Sequence, residues 1–437
     1  SHIKGTEVIV KPDAKELNSD IDNFPDKRVI TRVRKLKQKN FKAAKMIQKI
    51  EGTPMPLASG WFANLGIEPR NKKEVDFKNK LILAPLTTVG NLPFRVICKQ
   101  WGADITVSEM AVASEILKGK MSEWTLLKRH KSEDVFGVQL CGNRVGVMTR
   151  CVEVLNENTS MDFIDINAGC PIDLVFNKGQ GCGLLQRVSR LEKVVRSMAA
   201  VSTVPITLKT RTGIYAKKRD VITKLFPKVA DWGISAVCLH GRTRFQRYSG
   251  LADWNYINEC TRVTELPFIG NGDIWSWEEA VEKLDGGVAS LMLARGAIIK
   301  PWLFTEIKER RHIDMSSSQR FELIKEYTNQ GLYYWGSDSH GVERTRYFLL
   351  NWLSFLCRYP PVALYERFPK MNEAPPSDIV YRDDLETLMA SHSIEDWIKL
   401  SEMTLGPVPE GFSFQAKHKA KSYDAKIKNE SVATEWG

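Results

Sequence analysis

Residues 163–211 contain the pattern that decides the fold. The stretch begins with the apolar run FIDINAGCP (163–171), continues through LEKVVRSMAAV (191–201) and ends in a second apolar run, PITLKTR (205–211). In the middle segment, apolar residues recur at the spacing of an amphipathic helix. Because parallel strands are buried on both faces, two near-continuous apolar runs joined by a helix predict a βαβ unit.

The same pattern recurs along the chain from residue 81 onward. Each apolar run ends in small or polar residues, and each gap can hold a helix, such as WEEAVEKLDGG (277–287). Eight such units predict an α/β protein with a closed (β/α)8 TIM barrel. An open doubly wound sheet is the alternative, but no G-x-G-x-x-G motif follows the first run. The eight runs are LILAP (81–85), ITVSEM (105–110), FGVQLCG (136–142), FIDINAGCP (163–171), PITLKTR (205–211), AVCLHGRT (236–243), PFIGNGD (267–273) and SLMLARGA (290–297).

The strand pattern stops near residue 312, and helical spacing replaces it. Residues 319–335, 341–358 and 393–403 read as amphipathic helices, whereas the proline-rich segment 359–380 reads as a loop. We therefore predict four parts of the chain. They are a basic N-terminal extension (1–75), the barrel as catalytic domain (76–312), a helical domain (316–405) and a basic, flexible tail (406–437).

Composition narrows the class of protein. The 437 residues are 43% hydrophobic and 26% charged, which is typical of a soluble globular protein. No apolar run reaches the length of a membrane span, so we expect no membrane partner. The eight cysteines are scattered without a C-x-x-C pair, so we expect no metal site. Free thiols fit a reducing compartment, and we predict a monomer located in the cytoplasm, the nucleus or both.

The net charge of +11 is concentrated in two segments. Residues 27–49 carry ten lysines and arginines and no acidic residue, and residues 417–428 carry five lysines against one aspartate. Such segments predict contacts with a polyanion, with RNA the leading candidate. The alternative for residues 27–49 is a helix that packs on the barrel through Val33, Phe41 and Ile47 and exposes its basic face to solvent.

Polar residues cluster where the predicted strands end, which is where TIM barrels carry their chemistry. No carboxylate pair spaced for glycoside hydrolysis, Ser-His-Asp set or P-loop is evident. A single lysine or histidine at a strand end usually has only a structural role, with its hydrogen bonds made to protein or solvent. The prediction of a functional site therefore depends on all of these residues lying at the same end of the barrel. The set comprises Pro85, Leu86, Thr87, Gln139, Asn167, Cys170, Lys209, Arg211, His240, Asn271, Gly272, Asp273, Ala294, Arg295 and Gly296.

A flavin mononucleotide accounts for most of this set. The motifs NGD (271–273) and ARGA (294–297) follow the last two strands, where barrels bind phosphate, and Arg295 supplies positive charge. Gln139 suits the uracil-like edge of the flavin ring. Lys209 suits the region near N1, where the reduced ring gains negative charge. His240 is assigned to the ring edge or the ribityl chain.

With a flavin at the barrel mouth, Cys170 acquires a chemical role. A thiol beside a reduced flavin can protonate one carbon of a double bond while the flavin delivers hydride to the other. Gly169 and Pro171 fix a sharp turn that presents the sulfur. The glycine-rich loop that follows can close over a substrate, with Lys178 near a phosphate. Cys182 is the alternative thiol.

These motifs, in this order, resemble the tRNA-dihydrouridine synthases over residues 80–405. The resemblance is strongest to the eukaryotic NAD(P)-dependent branch that acts on the tRNA variable loop at position 47, although the CCCH zinc fingers usual in that branch are not among these 437 residues. The matching stretches are APLTTVGNLPFR (84–95), VSEMA (107–111), GVQLCG (137–142), NAGCP (167–171), KGQGCGLL (178–185), KTRTG (209–213), HGRTRFQRYSG (240–250), GNGDI (270–274) and LARGA (293–297).

The resemblance implies an FMN-bearing barrel, NADPH as reductant, a tRNA-binding helical domain at 316–405 and reduction of a uridine to 5,6-dihydrouridine. It also implies tRNA as partner, with mRNA as a further candidate, and Cys170 as the proton donor. The implied FMN contacts are Pro85, Leu86, Thr87, Gln139, Lys209, His240, Asn271, Gly272, Asp273, Ala294 and Arg295.

Reduction of a uridine in RNA requires the base to leave its stack and lie over the flavin. We therefore expect the substrate to be held mainly through phosphates by cations around the mouth. Asn167, Lys178, Arg211 and Arg242 are the candidate substrate contacts. The further cations expected at the mouth are Lys217, Lys218, Arg219, Arg244 and Arg247.

Two other functions remain open from the sequence. One is an FMN barrel reductase of a free pyrimidine or small enone, similar to a dihydroorotate dehydrogenase, which has no need of basic segments. The other is a catalytically silent tRNA-binding protein on a flavin scaffold. Bound flavin distinguishes the second from the enzymes, and tRNA binding distinguishes the two enzymes.

Overall fold

The computed structural model describes residues 20–23, 26–36, 41–52, 73–215, 220–364 and 379–417. Lys217, Lys218, Arg219 and most of the basic tail lie outside the described residues. None of the helices in the described part of the chain is both long enough and apolar enough to cross a membrane.

Eight parallel strands form a closed ring, which confirms the predicted TIM barrel. Each strand pairs with the next, β8 pairs with β1 through Leu291 and Leu81, and β2 pairs with β3 through Ile105 and Val135. The strands are β1 (Leu81–Leu83), β2 (Ile105–Val107), β3 (Val135–Cys141), β4 (Phe163–Ala168), β5 (Ile206–Arg211), β6 (Ile234–His240), β7 (Phe268–Asn271) and β8 (Ser290–Leu293).

Among the described residues, three two-residue strands lie outside the ring. Ala111–Val112 pairs in parallel with the end of β3, and Ile21–Asp22 pairs antiparallel with Arg129–His130. The second pairing ties the N-terminal segment to the barrel.

Helices cover the outside of the barrel and continue beyond it. Short 3-10 helices lie at Gly181–Gln186 and Val362–Leu364. The α-helices are α1 (Lys27–Lys35), α2 (Ala44–Gly52), α3 (Leu92–Gln100), α4 (Ala113–Leu117), α5 (Met121–Thr125), α6 (Val145–Asn158), α7 (Asp173–Phe176), α8 (Val188–Val201), α9 (Val221–Lys224), α10 (Trp254–Thr261), α11 (Trp277–Asp285), α12 (Arg295–Ile299), α13 (Leu303–Glu309), α14 (Ser317–Trp335), α15 (Ser339–Leu356), α16 (Asp384–Ala390) and α17 (Ile394–Leu405).

The barrel interior is a packed core, as expected for a barrel of this size. Phe77, on the segment before β1, packs edge-on against Phe163 with ring centroids 5.2 Å apart. Ile82, Ile105 and Ile269 belong to the same buried cluster. This packing leaves the carboxyl ends of the strands as the place where polar side chains gather.

Helices α14–α17 form the C-terminal helical part of the molecule. Nε1 of Trp352 on α15 donates to the carbonyl of Ile298 at 2.9 Å, and Asn91 Nδ2 donates to the Tyr327 hydroxyl at 2.9 Å. Arg320 on α14 is buried and pairs with Glu386 on α16 at 2.8 Å. The helices are therefore joined to the barrel and to one another by buried polar contacts.

The N-terminal helices pack on the barrel through an apolar face. Ile30, Val33, Phe41 and Ile47 are all buried in the main hydrophobic cluster. On the other side of the same segment, basic side chains face solvent. These exposed cations are Lys27, Arg28, Arg32, Arg34, Lys35, Lys42, Lys45 and Lys49.

Candidate active site at the carboxyl ends of the strands

A buried hydrogen-bond network crosses three neighbouring strands of the barrel. Asp165 on β4 accepts from Thr207 Oγ1 and from Gln139 Nε2, each at 2.7 Å. Gln139 Oε1 then accepts from Asn167 Nδ2 at 2.8 Å. Asn167 Oδ1 in turn accepts the backbone N–H of Cys170 at 2.9 Å. Because every member has a buried partner, the network fixes the orientation of both amides.

The backbone of Cys170 is held on both sides. Its N–H donates to Asn167, and its carbonyl accepts from the N–H of Cys182 at 3.1 Å. Gly181 adopts φ +55°, and a Cβ there would lie 2.9 Å from the Cβ of Cys170. The close approach of the loop therefore requires glycine at this position.

Cys170 is the accessible thiol of this region. It is partly exposed, whereas the other seven cysteines, all within the described residues, are buried. Burial raises the pKa of Cys170 above its ordinary value of 9.0, so the sulfur carries its proton at neutral pH. Burial raises the pKa of Cys182, the alternative thiol, to about 12. The arrangement favours Cys170 as a proton donor.

Arg211 joins two loops of the mouth. Its Nε donates to the carbonyl of Gly169 at 3.0 Å, and its Nη1 donates to the carbonyls of Thr243 and Arg247 at 2.9 and 2.8 Å. These contacts tie the loop that carries Cys170 to the loop after β6. The predicted role of Arg211 in substrate binding stays a prediction.

A second group of polar side chains lies on strands β5–β8. Lys209 Nζ donates to Asn271 Oδ1 at 3.1 Å. Nη2 of Arg242 donates to both carboxylate oxygens of Asp273, at 2.9 and 2.7 Å, and Arg295 reaches the same carboxylate at 3.3 Å. Asp273 therefore bridges two arginines from different loops.

The phosphate end of the predicted flavin site has the backbone shape that close approach requires. Gly272 adopts φ +127°, and a Cβ there would lie 2.7 Å from the Cβ of Ala252. Only glycine fits this position without moving its neighbour. Ala294 precedes α12, and Arg295 begins that helix.

Positive charge converges on His240. Burial lowers the pKa of His240 well below its usual range, and Arg211, Lys209, Arg242 and Arg295 lower it further. The imidazole is therefore neutral at neutral pH. Because an arginine only donates, the 3.3 Å contact with Arg242 Nη1 makes Nε2 of His240 the acceptor and places the proton on Nδ1.

The same cations make this part of the mouth suitable for an anion. Asp273 is the carboxylate that pairs with Arg242 and Arg295 here. Burial lowers the pKa of Arg295 to about 10, and the neighbouring Arg242 contributes. Charge that is buried and only partly compensated favours binding of an anionic group such as a phosphate.

The remaining predicted residues lie around this centre. Pro85 and Leu86 are partly buried in the turn after β1, and Thr87 is exposed. The side chain of Lys178 is also exposed, while its carbonyl accepts from Asn143 Nδ2 at 2.7 Å. The structure thus brings the predicted strand-end residues together but leaves the Lys178 side chain outside the hydrogen-bond network.

Several polar residues of the site were not predicted from the sequence. Asp165 and Thr207 lie inside strands, and their signal was a polar side chain within an otherwise apolar run. Glu109 accepts from the N–H of Thr88 at 2.6 Å, which supports a non-glycine residue at φ +75°. Met110 Sδ lies 3.2 Å from Asn167 Nδ2. None of these contacts follows from local sequence alone.

Comparison with known proteins agrees with this geometry. The family model described as dihydrouridine synthase (Dus) matches residues 82–348. A Xenopus tropicalis protein named tRNA-dihydrouridine(47) synthase [NAD(P)(+)]-like is 58% identical over 359 residues, which cover 82% of this chain and 56% of that protein.

Two further relatives show the same pattern. A human protein with that name is 55% identical over 359 residues, covering 82% of this chain and 55% of its own length. A Coprinopsis cinerea tRNA-dihydrouridine(47) synthase [NAD(P)(+)] is 47% identical over 368 residues, which cover 80% of this chain and 54% of that protein. The chain spans about half the length of these curated relatives. The resemblance predicted from the motifs is confirmed: this chain belongs to the dihydrouridine synthase family.

Proposed function

We propose that the protein reduces the uridine at position 47, in the variable loop of tRNA, to 5,6-dihydrouridine, with FMN as bound flavin and NADPH as reductant. Family membership and the names of the relatives support the reaction type and the nucleotide. The observation that carries the proposal is the network that holds Cys170, protonated and partly exposed, beside a cluster of cations.

The residues at the mouth fit an FMN. Arg242 and Arg295 meet at Asp273, at the end of the barrel where the flavin phosphate is expected, and the neighbouring Gly272 has no room for a Cβ against Ala252. In the turn after β1, which pairs with β8, Thr88 Oγ1 is buried with no hydrogen-bond partner among the described residues, next to the predicted FMN contacts Leu86 and Thr87. An unsatisfied buried hydroxyl of this kind is suited to a ligand.

The chain's own residues supply the proton and the positioning. A bound FMN supplies a hydride to one carbon of the 5,6 double bond of uracil. Cys170 donates the proton on Sγ to the other carbon, which completes the reduction. Asn167 holds the Cys170 backbone and Arg211 holds the neighbouring Gly169 carbonyl, while Lys209 is the residue that would supply positive charge to the ring of a bound FMN.

The proposal is tested with purified protein, NADPH and a tRNA transcript. We expect dihydrouridine at position 47 by nuclease mapping and mass spectrometry, and none in a matched transcript with cytidine at that position. Dihydrouridine at a different position would contradict the proposed nucleotide. Turnover of free uracil or uridine without tRNA turnover would favour the small-molecule reductase. Flavin-free protein that binds tRNA would favour the silent binding protein.

A further inference from the structure

Large exposed apolar side chains concentrate on one side of the barrel mouth. Their side chains range from 47% exposed at Ile172 to 69% at Leu174. Isolated exposed apolar residues are ordinary, but a group of them marks an interaction site. All belong to the loops that follow β4, β5 and β6, which are neighbours in the ring. The members of this mouth patch are Ile172, Leu174, Tyr215, Phe245, Tyr248 and Leu251.

Two rings of the mouth patch are already stacked on each other. Tyr215 and Phe245 lie with centroids 5.0 Å apart and an angle of 21° between their planes, although both are more than half exposed. The Arg244 guanidinium lies 4.7 Å from the Phe245 ring centroid and 3.7 Å from that of Phe176. A column of flat groups, from Phe176 to Tyr215, thus extends from the protein towards solvent.

The arginines beneath the patch are engaged within the protein. Arg244 forms an ion pair with Asp173, and Arg247 reaches the same carboxylate at 3.0 Å. Arg295 lies over the Tyr248 ring at 4.9 Å. Of these, Arg244 and Arg247 were predicted to contact RNA, and in the structure both pair with Asp173 while Arg244 also lies over two rings. The surface that the loops present to a ligand is therefore largely aromatic and apolar, with positive charge behind it.

We propose that the mouth patch is a stacking platform for unpaired nucleotides of the RNA that flank the reduced uridine. Stacking on aromatic rings accepts any base, and an underlying positive charge suits a polyanion. The location agrees, because Ile172 and Leu174 follow Cys170 on the same loop. The inference rests on the proposed function, since it takes the substrate to be RNA with one base withdrawn from its stack.

Ring removal gives a test that separates stacking from ion pairing. We expect Phe245→Leu and Tyr215→Leu each to raise the KM for tRNA about tenfold, with kcat and FMN content close to wild type, because one base stack is lost. The slope of log affinity against log salt should not change, since no phosphate contact is removed. Phe245→Trp should restore binding. Met121→Ala, which removes an exposed apolar side chain of α5, is the matched control and should leave KM unchanged.

A direct binding measurement keeps the outcomes distinct. We expect both leucine variants to bind a fluorescent single-stranded oligouridine more weakly and a blunt RNA duplex as wild type does. Wild-type tRNA KM and oligouridine binding in both variants would overturn the platform, as would a flattened salt slope. A change in oligomeric state instead of RNA binding would also overturn it, by assigning the patch to a second copy. If the leucine variants lose oligouridine binding but the wild-type protein forms no dihydrouridine, the proposed function is contradicted and the stacking platform is still supported.

Discussion

The backbone N–H of Cys170 donates to Oδ1 of Asn167 at 2.9 Å, so the loop that carries the thiol is tied directly to strand β4. The orientation of the Asn167 amide depends in turn on Gln139 and, behind it, on Asp165. The position of the proton donor is therefore set by a carboxylate buried inside the barrel.

Asp165→Asn should disturb this network while keeping the shape of the side chain. An amide at position 165 can keep both contacts by turning its N–H₂ group towards Thr207 Oγ1, which then accepts, but Gln139 Nε2 then donates to a neutral amide oxygen instead of a carboxylate. A hydrogen bond to a charged acceptor is worth about 1 kcal/mol more than one to a neutral acceptor, so we expect the single-turnover rate to fall about fivefold.

Thr207→Val is the control for Asp165→Asn. It removes the other hydrogen bond of Asp165 but leaves Gln139 its acceptor, and we expect a smaller effect on rate. A visible flavin spectrum that shifts in Asp165→Asn but not in Thr207→Val would locate the effect at Gln139. A folded Asp165→Asn protein with the wild-type rate would show that the network does not position the donor.

Arg295→Ala should release FMN during purification. Arg295 contributes to the charge that converges around His240, and a charge-assisted contact to phosphate is worth about 1.5–3 kcal/mol. We expect a clear loss in the ratio of flavin to protein absorbance, and a milder loss for Lys209→Ala. Arg190→Ala, which removes an exposed arginine of α8, is the control. Full flavin content in Arg295→Ala would remove the phosphate assignment.

The chemical step should decline only at alkaline pH. A general acid acts while it is protonated, and burial raises the pKa of Cys170 above 9.0, which extends the protonated range upward. We therefore expect the single-turnover rate to be insensitive to the Cys170 proton at neutral pH and to fall as pH rises through that raised pKa. An alkaline decline centred well below pH 9, absent from Cys170→Ser, would contradict this assignment.

The N-terminal basic segment should have two separable roles. Val33 is buried against the barrel, so Val33→Ala should lower the melting temperature without changing the salt dependence of tRNA binding. Lys27, Arg28 and Lys35 face solvent, so replacing all three by alanine should spare the melting temperature. Each lost phosphate contact should reduce the salt slope by about 0.7–0.9. An unchanged slope in the triple variant would exclude this segment from RNA binding.

The sequence predicts those features that local pattern determines. Runs such as FIDINAGCP specify a buried strand with a polar end, so the ring of strands and the strand-end residues Asn167 and Cys170 could be predicted. The role of Asp165 could not, because its partners Gln139 and Thr207 come from other strands. The Tyr215–Phe245 stack likewise joins two loops whose relative position depends on the closed barrel.

The N-terminal segment shows how a charge pattern can conceal packing. Its ten basic residues dominate the composition of 27–49, yet Val33, Phe41 and Ile47 share a buried face. The alternative interpretation of this segment matches these buried contacts, but the three residues lie on α1, on the turn before α2 and on α2 instead of on one helix. Its exposed cations still allow the RNA contact, so both interpretations apply to different faces.

Single-turnover formation of dihydrouridine by Cys170→Ala tests the central claim most directly. The protein is first reduced with NADPH and then mixed with tRNA, and dihydrouridine is followed by mass spectrometry. We predict a rate ~10²-fold or more below wild type, as loss of a general acid requires, with flavin reduction and tRNA binding nearly intact. Cys182→Ala, which alters a buried thiol, should react close to the wild-type rate. A Cys170→Ala protein that reduces tRNA as fast as wild type would show that the proton comes from another group.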